Sequence, residues 1–291
     1  MKKIIAIAVS ALLLTSSIFL PEGVNAEESK ESLENVSRIT VVNELEYIKD
    51  LQDLSDSELL EKGASKSEIK QLREFNLESM LSERVKSLQN NSTNELMSQG
   101  YSLKQIESIQ NFSGSDTQVL SLLANLSGTL SIASQGSTST YSFVKGAYIF
   151  NWSKAPLVLI KDLIAITWSE GFYLNTDSGY TKMTYDYYNI GKETLNKTNT
   201  ATVKPHLNVG VSTSFGMGYR DQEEVGIYTK KGRFNFHIDK KAKVKEMAIQ
   251  SEYGHTTVAV GSPSVSIPAG LSVSFSYQVS EDDFDYKKIT F

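Results

Sequence analysis

Three histidines are the first side chains to weigh for chemistry: His206, His237 and His255. Zinc sites draw on His, Cys and carboxylate ligands at short, regular spacings. This chain has no cysteine, no HExxH and no two histidines at ligand spacing. A zinc site would need all three histidines to converge, and each reads better as a strand residue with a satisfied ring. There is no GxSxG elbow, no serine-protease spacing and no glycine-rich phosphate loop. The patterns therefore assign no catalytic residue, no metal ligand and no cofactor. Asp162 and Glu170 bracket the run that ends in Trp168, and offer an acid/base pair for glycoside cleavage. Single carboxylates at strand ends are more commonly solvated or bonded to a turn. The run Glu281-Asp282-Asp283-x-Asp285 carries oxygen ligands for Ca²⁺ but lacks the glycine and closing glutamate of an EF-hand, so a solvated loop is expected.

The strongest signal is basic. Lys230, Lys231, Arg233, Lys240, Lys241, Lys243 and Lys245 fall within 16 residues, opposed only by Asp239. Lys230-Lys231-Gly232 reads as the turn of a hairpin, with Phe234 and Phe236 alternating toward a core on the return arm. Such a patch suits an anionic wall polymer or a membrane surface; no nucleic acid is expected, and no protein partner is indicated. Lysines on exposed turns and edge strands also guard against edge-to-edge pairing, so the same residues have a purely protective reading.

The stretch Tyr141–Leu174 is expected to organise the fold that carries these residues. Val144, Gly146, Tyr148, Phe150 and Trp152 alternate, and after Lys154-Ala155-Pro156 so do Asp162, Ile164, Ile166 and Trp168. Trp152 and Trp168 are the expected core anchors, on neighbouring strands. Further alternating runs cover Thr181–Tyr188, His206–Met217, Val225–Thr229 with Phe234–Ile238, Val244–Ile249, Thr256–Val260 and Leu271–Val279. Together they predict an all-β sandwich or distorted barrel over 141–291.

Ahead of it, residues 1–26 read as a signal peptide: Lys2 and Lys3, an apolar run Ile4–Leu20, and Val24-Asn25-Ala26 as the cleavage site. A polar lead over 27–37 is expected to be disordered. From Ile39 the pattern turns helical through residue 112, and 27–112 carries 10 basic and 17 acidic groups, net −7, against a net +1 for 113–291. A 37-residue offset superposes Ser55–Phe75 on Ser92–Phe112. Each unit holds two capping boxes, Ser55 with Glu58 and Ser65 with Glu68, then Ser92 with Glu95 and Ser102 with Gln105. Gly63 and Gly100 sit where a left-handed residue ends the first helix. Residues 113–140 form a connector or hairpin, uncharged after Asp116. Leu126, Gly128, Leu130 and Ile132 alternate with hydroxylated residues, a pattern shared by ordinary sandwich hairpins and by the inserting hairpins of pore-forming toxins.

The two units resemble the helix–glycine–helix units of exported Gram-positive proteins. The Met97-x-x-Gly100-Tyr101 loop resembles that of ubiquitin-associated domains, a motif covering one unit and not read as ubiquitin binding. The paired tryptophans with Tyr253-Gly254-His255-Thr256-Thr257 and Pro268–Phe275 resemble an uncharacterised exported family of Gram-positive bacteria over about 140–291, which implies no activity. The chain is thus expected to be α+β in two parts, secreted or held at the cell wall, and to work by binding, with the basic hairpin retaining it at the envelope. The alternative is a pore-forming toxin or secreted antimicrobial protein, and the third reading a wall or glycan hydrolase.

Overall fold

The structure is a computed structural model that describes residues 38–98, 101–113, 124–156, 158–190, 192–219, 226–257, 263–268, 271–276 and 279–291. The signal peptide, the polar lead, Gly100 and the connector over 114–123 lie outside them.

The first described element is a strand, β1 (Arg38–Val41), where periodicity predicts helix from Ile39. Its β-branched run Ile39-Thr40-Val41 is stiff at χ1 and suits a pleated surface. It pairs antiparallel with Asn125–Gly128 of β2 (Asn125–Ser137). Six helices follow among the described residues: α1 (Glu44–Asp53), α2 (Asp56–Glu61), α3 (Lys66–Glu74), α4 (Leu77–Gln89), α5 (Thr93–Ser98) and α6 (Leu103–Gln110).

Local chemistry sets their ends. Ser55, Ser65 and Ser102 close reciprocal capping boxes with Glu58, Glu68 and Gln105, and Ser92 does the same with Glu95. After α2, Gly63 takes φ +92°. The Gly63 amide then donates to the Leu60 carbonyl and the Ala64 amide to that of Leu59, a Schellman stop. In the second unit the Tyr101 amide bonds the Leu96 carbonyl at the matching place. Leu59, Ile69 and Leu72 pack with Ile48 and Leu51 of α1, while Leu96, Ile106 and Ile109 pack with Val85 and Leu88 of α4. Phe112 touches both clusters.

The rest is antiparallel β: β3 (Ser142–Trp152), β4 (Lys161–Trp168), β5 (Tyr173–Leu174), β6 (Lys182–Asn189), β7 (Leu195–Ala201), β8 (Val203–His206), β9 (Gly210–Gly216), β10 (Gly218–Tyr219), β11 (Ile227–Lys240), β12 (Glu246–Thr256), β13 (Val265–Ser266), β14 (Ser274–Phe275) and β15 (Val279–Thr290). One sheet runs β1-β2-β3-β11-β6-β7, with β5 and β10 also on β11; the other runs β15-β12-β4-β9-β8. The fold is mainly β with a small helical part, in two open sheets rather than a closed barrel. Trp152 and Trp168 are buried, 0% and 1% exposed. They lie in different sheets and not on neighbouring strands, because β3 pairs β2 and β11 while β4 pairs β12 and β9.

Three strand boundaries differ from those expected. Lys230-Lys231-Gly232 is not a turn: β11 is continuous through it, with an irregularity in its pairing to β6 at Lys230. Gly232 lies opposite Phe150, and a Cβ there would meet the Phe150 ring at 2.5 Å. The glycine serves close packing between strands, not chain reversal. The strand expected over Val244–Ile249 is longer: β12 is continuous through Gly254 to Thr256, and a Cβ on Gly254 would press on Val279 at 2.5 Å; of the strand expected over Thr256–Val260, residues 258–260 lie outside the described residues. Among the described residues of 271–278 the strand is the two-residue β14; the long final strand is β15, which starts at Val279 and takes in the charged run that reads as a loop.

Candidate functional site

The chemically dense part of the molecule is a buried network. Asp162 opens β4, and Tyr253 and His255 lie two apart on its partner β12, which puts both on one face. Glu44, the first residue of α1, comes from the helical segment. The His255 ring lies between two carboxylates, with Nδ1 2.8 Å from Asp162 Oδ1 and Nε2 3.0 Å from Glu44 Oε1. Tyr253 donates to Asp162 Oδ2 at 2.5 Å and accepts from the Trp152 indole at 3.1 Å. The Val158 amide donates to Glu44 Oε1 at 2.7 Å, and the Thr256 amide to Asp162 Oδ1 at 3.2 Å. Burial works against a charged imidazole, but Asp162 and Glu44 outweigh it and hold the His255 pKa well above its usual value. Nearby Asp282, beside the Ser280 hydroxyl at 3.0 Å, is pushed up to about 7, mainly by burial, with His255 pulling the other way. Burial and then the Asp162 charge raise the Tyr253 phenol well above its usual range.

An imidazolium between carboxylates is suited to proton transfer, yet the three side chains are 0–1% exposed and meet no solute. What they do is join the helical segment to the sheets. Two further joints repeat this: the Tyr47 hydroxyl donates to the Val279 carbonyl at 3.0 Å, and the buried Lys154 ammonium sits 4.3 Å over the Tyr101 ring.

The other residues singled out by sequence are scattered. Asp162 and Glu170 do not form an acid/base pair: Asp162 lies near the start of β4 and Glu170 two residues past its end, and the strand from Asp162 to Trp168 spans roughly 20 Å. Glu170 lies in the following turn at φ 66°. His206 ends β8, 2.8 Å from Ser212 Oγ, and His237 lies within β11, so the histidines do not converge. Among the described residues no group of three or more His, Cys, Asp or Glu is arranged to hold a metal. The acidic run is strand, with Asp285 buried and accepting the Leu130 amide at 2.9 Å. β2 and β3 form one hairpin whose Leu126, Leu130 and Val144 belong to the core. Membrane insertion of that hairpin would require β3 to leave β11.

The basic residues divide between the two ends of β11. Lys230 pairs with Glu193, and Lys231 with Asp186 at 3.6 Å; Arg233 bonds Asn235 at 2.7 Å. At the other end Lys240 donates to the Glu170 carbonyl, and Lys241, Lys243 and Lys245 are exposed on the β11–β12 connection. That connection is held firmly. Val244 is buried, its amide bonds Ser142 Oγ at 2.9 Å, and its carbonyl accepts from Ser137 Oγ at 2.9 Å.

The same end of the sandwich holds residues that sequence reasoning passed over. A pocket of about 200 Å³ is lined by Trp168, Tyr173, Leu174, His206, Leu207 and Asn208. Leu207, expected inside a strand, lies in the β8–β9 turn and is 89% exposed. Glu44 also went unremarked, because an acid at a helix start reads as an ordinary dipole partner.

No known family's sequence profile matches the chain, and no curated protein matches it. Among solved structures it is similar, at 9% identity and a TM-score of 0.25, to one of the manganese lipoxygenase of Gaeumannomyces graminis reported with part of the zonadhesin of Komagataella pastoris; 53% of this chain spans 47%, about half, of that one. It is similar to a pore forming protein at 10% identity and a TM-score of 0.19, over 57% of this chain and 78% of that one. It is similar to the membrane-inserted form of the Clostridium perfringens NetB toxin at 9% identity and a TM-score of 0.20, over 58% and 85%. Likenesses at these TM-scores decide neither fold nor function.

Proposed function

We propose that this is a secreted bacterial binding protein that meets an anionic surface of the cell envelope with the β11–β12 connection. One observation carries the reading: Lys241, Lys243 and Lys245 are exposed around a buried, hydrogen-bonded Val244. Three cations on a fixed connection keep their spacing, so little ordering is lost when they bind. Lys230 and Lys231 are engaged by Glu193 and Asp186, which makes them poorer contacts than the sequence pattern implies. The binding is electrostatic and weakens as salt screens it. The test compares wild type with the triple variant Lys241→Gln, Lys243→Gln, Lys245→Gln on isolated cell walls and anionic vesicles at low and high salt. Wild type is expected to be retained at low salt and released at high salt, and the triple variant to be released at both. Equal retention of the two proteins would leave the lysines as edge protection only.

A further inference from the structure

We infer that the surface met by this end of the molecule is an anionic lipid bilayer, into whose interface Leu207 and Tyr173 insert. The inference rests on the envelope-binding reading above and names its partner. Strand registers bring the relevant segments together. Lys240 lies opposite Ser142, and Asp239 opposite Tyr173. In the other sheet Trp168 lies opposite Ile249, and Thr167 opposite Gly210. The β2–β3 turn, the β4–β5 loop, the β8–β9 turn and the β11–β12 connection therefore share one end. Cross-links between the sheets fix it: Lys240 bonds the Glu170 carbonyl, Gln135 the Thr290 carbonyl at 2.8 Å, and Phe172 stacks on Phe291 at 6.3 Å.

Leu207 is the most exposed large apolar side chain among the described residues, at 89%, and Tyr173 is 57% exposed across the pocket from it. The Leu207 side chain is 89% exposed at the rim of the pocket, and its turn is set by backbone: Asn208 at φ 59° and the Val209 amide donating to the His206 carbonyl at 3.0 Å. Tyr141, 37% exposed, adds a second phenol on the β2–β3 turn. A leucine at a turn tip, flanking tyrosines and a row of lysines match the layers of an anionic membrane face. The leucine suits the acyl boundary, the phenols the interface and the ammonium groups the headgroups. The acids at this end, Glu170, Asp239 and Glu246, are outnumbered by Lys240, Lys241, Lys243, Lys245 and Lys288, the last of which pairs with Glu246 at 2.9 Å. A soluble polyanion would engage the lysines equally well but has no use for Leu207.

Because the chain has no cysteine, single labels are clean. Leu207→Cys and Leu195→Cys each receive an environment-sensitive fluorophore; Leu195 is 55% exposed and lies opposite Tyr188, at the far end of β6. Both are mixed with phosphatidylcholine vesicles, with and without phosphatidylglycerol. Leu207→Glu and the triple lysine variant are tested by sedimentation on the same vesicles and on immobilised dextran sulfate. Expected is a blue shift at position 207 alone, only with phosphatidylglycerol. Leu207→Glu should lose about tenfold or more in vesicle affinity and keep its hold on dextran sulfate. The triple variant should lose roughly fivefold per lysine on vesicles and also fail on dextran sulfate. If wild type binds vesicles but position 207 shows no shift, or Leu207→Glu binds them like wild type, lipid insertion is overturned while electrostatic binding stands. If wild type binds neither support, both readings fall.

Discussion

The half-buried Asp282 carboxyl lies near the buried His255 ring, and the two respond to pH in the same direction. Asp282 titrates at about 7 in the fold against a usual 3.8, so folding favours its neutral form. Its contribution to stability is complete below about pH 4 and is lost as pH rises toward 7. Glu252, raised to about 7 by burial and the Glu281 charge, follows the same course. His255 is favoured as the cation, and its contribution is complete below about pH 6.5 and declines from there as pH climbs toward its raised value. The Tyr253 phenol, raised well above its usual range by burial and then by the Asp162 charge, does not titrate between pH 5 and 8. The melting temperature should therefore fall as pH is raised from 5 to 8, on the order of a few degrees. Asp282→Asn should flatten the profile. A profile unchanged in Asp282→Asn would show that this carboxyl does not set the trend.

Helix ends in this chain are set within a few residues, and so they can be read directly. Ser65 accepts the Glu68 amide and Ser102 the Gln105 amide, both legible from spacing alone. Ser65→Ala or Ser102→Ala should cost roughly 0.5–2 kcal/mol in chemical denaturation. Gly63→Val, forced to φ +92°, should cost at least as much. Unchanged denaturation midpoints in all three would dismiss the caps. The strands were less legible where glycine was concerned. Gly232 looks like a turn residue until the Phe150 side chain packed against it is known, and that contact is set by register between distant segments. For the same reason β15 was hidden: Asp282 and Asp285 look solvated until Ser280 and the Leu130 amide supply partners. The lysine run was visible in sequence, but its division between two ends depended on β11 being continuous.

Taken whole, the helical segment is fastened to the sheets by β1 on β2, by Glu44 on His255, by Tyr47 on Val279 and by Tyr101 beneath Lys154. Breaking one partner of a buried charge pair typically costs about 3–5 kcal/mol, because the other charge stays buried. In wild type, helical ellipticity and tryptophan fluorescence should report one coincident urea transition. Glu44→Ala should lower the midpoint and pull the two curves apart, with the helices melting first. Coincident curves in the variant would mean that packing alone unites the two parts.

The Glu44–His255 contact also sets a timetable for synthesis. The two residues are 211 positions apart, and a ribosome releases the glutamate long before the histidine. Capped helices close on local bonds and can form early. The acid at the start of α1 must stay hydrated until β4 and β12 have been made, and β2 lacks its Asp285 acceptor for 155 residues. Closure of the core is thereby deferred to the last strands, which keeps the nascent chain open for most of its time on the ribosome.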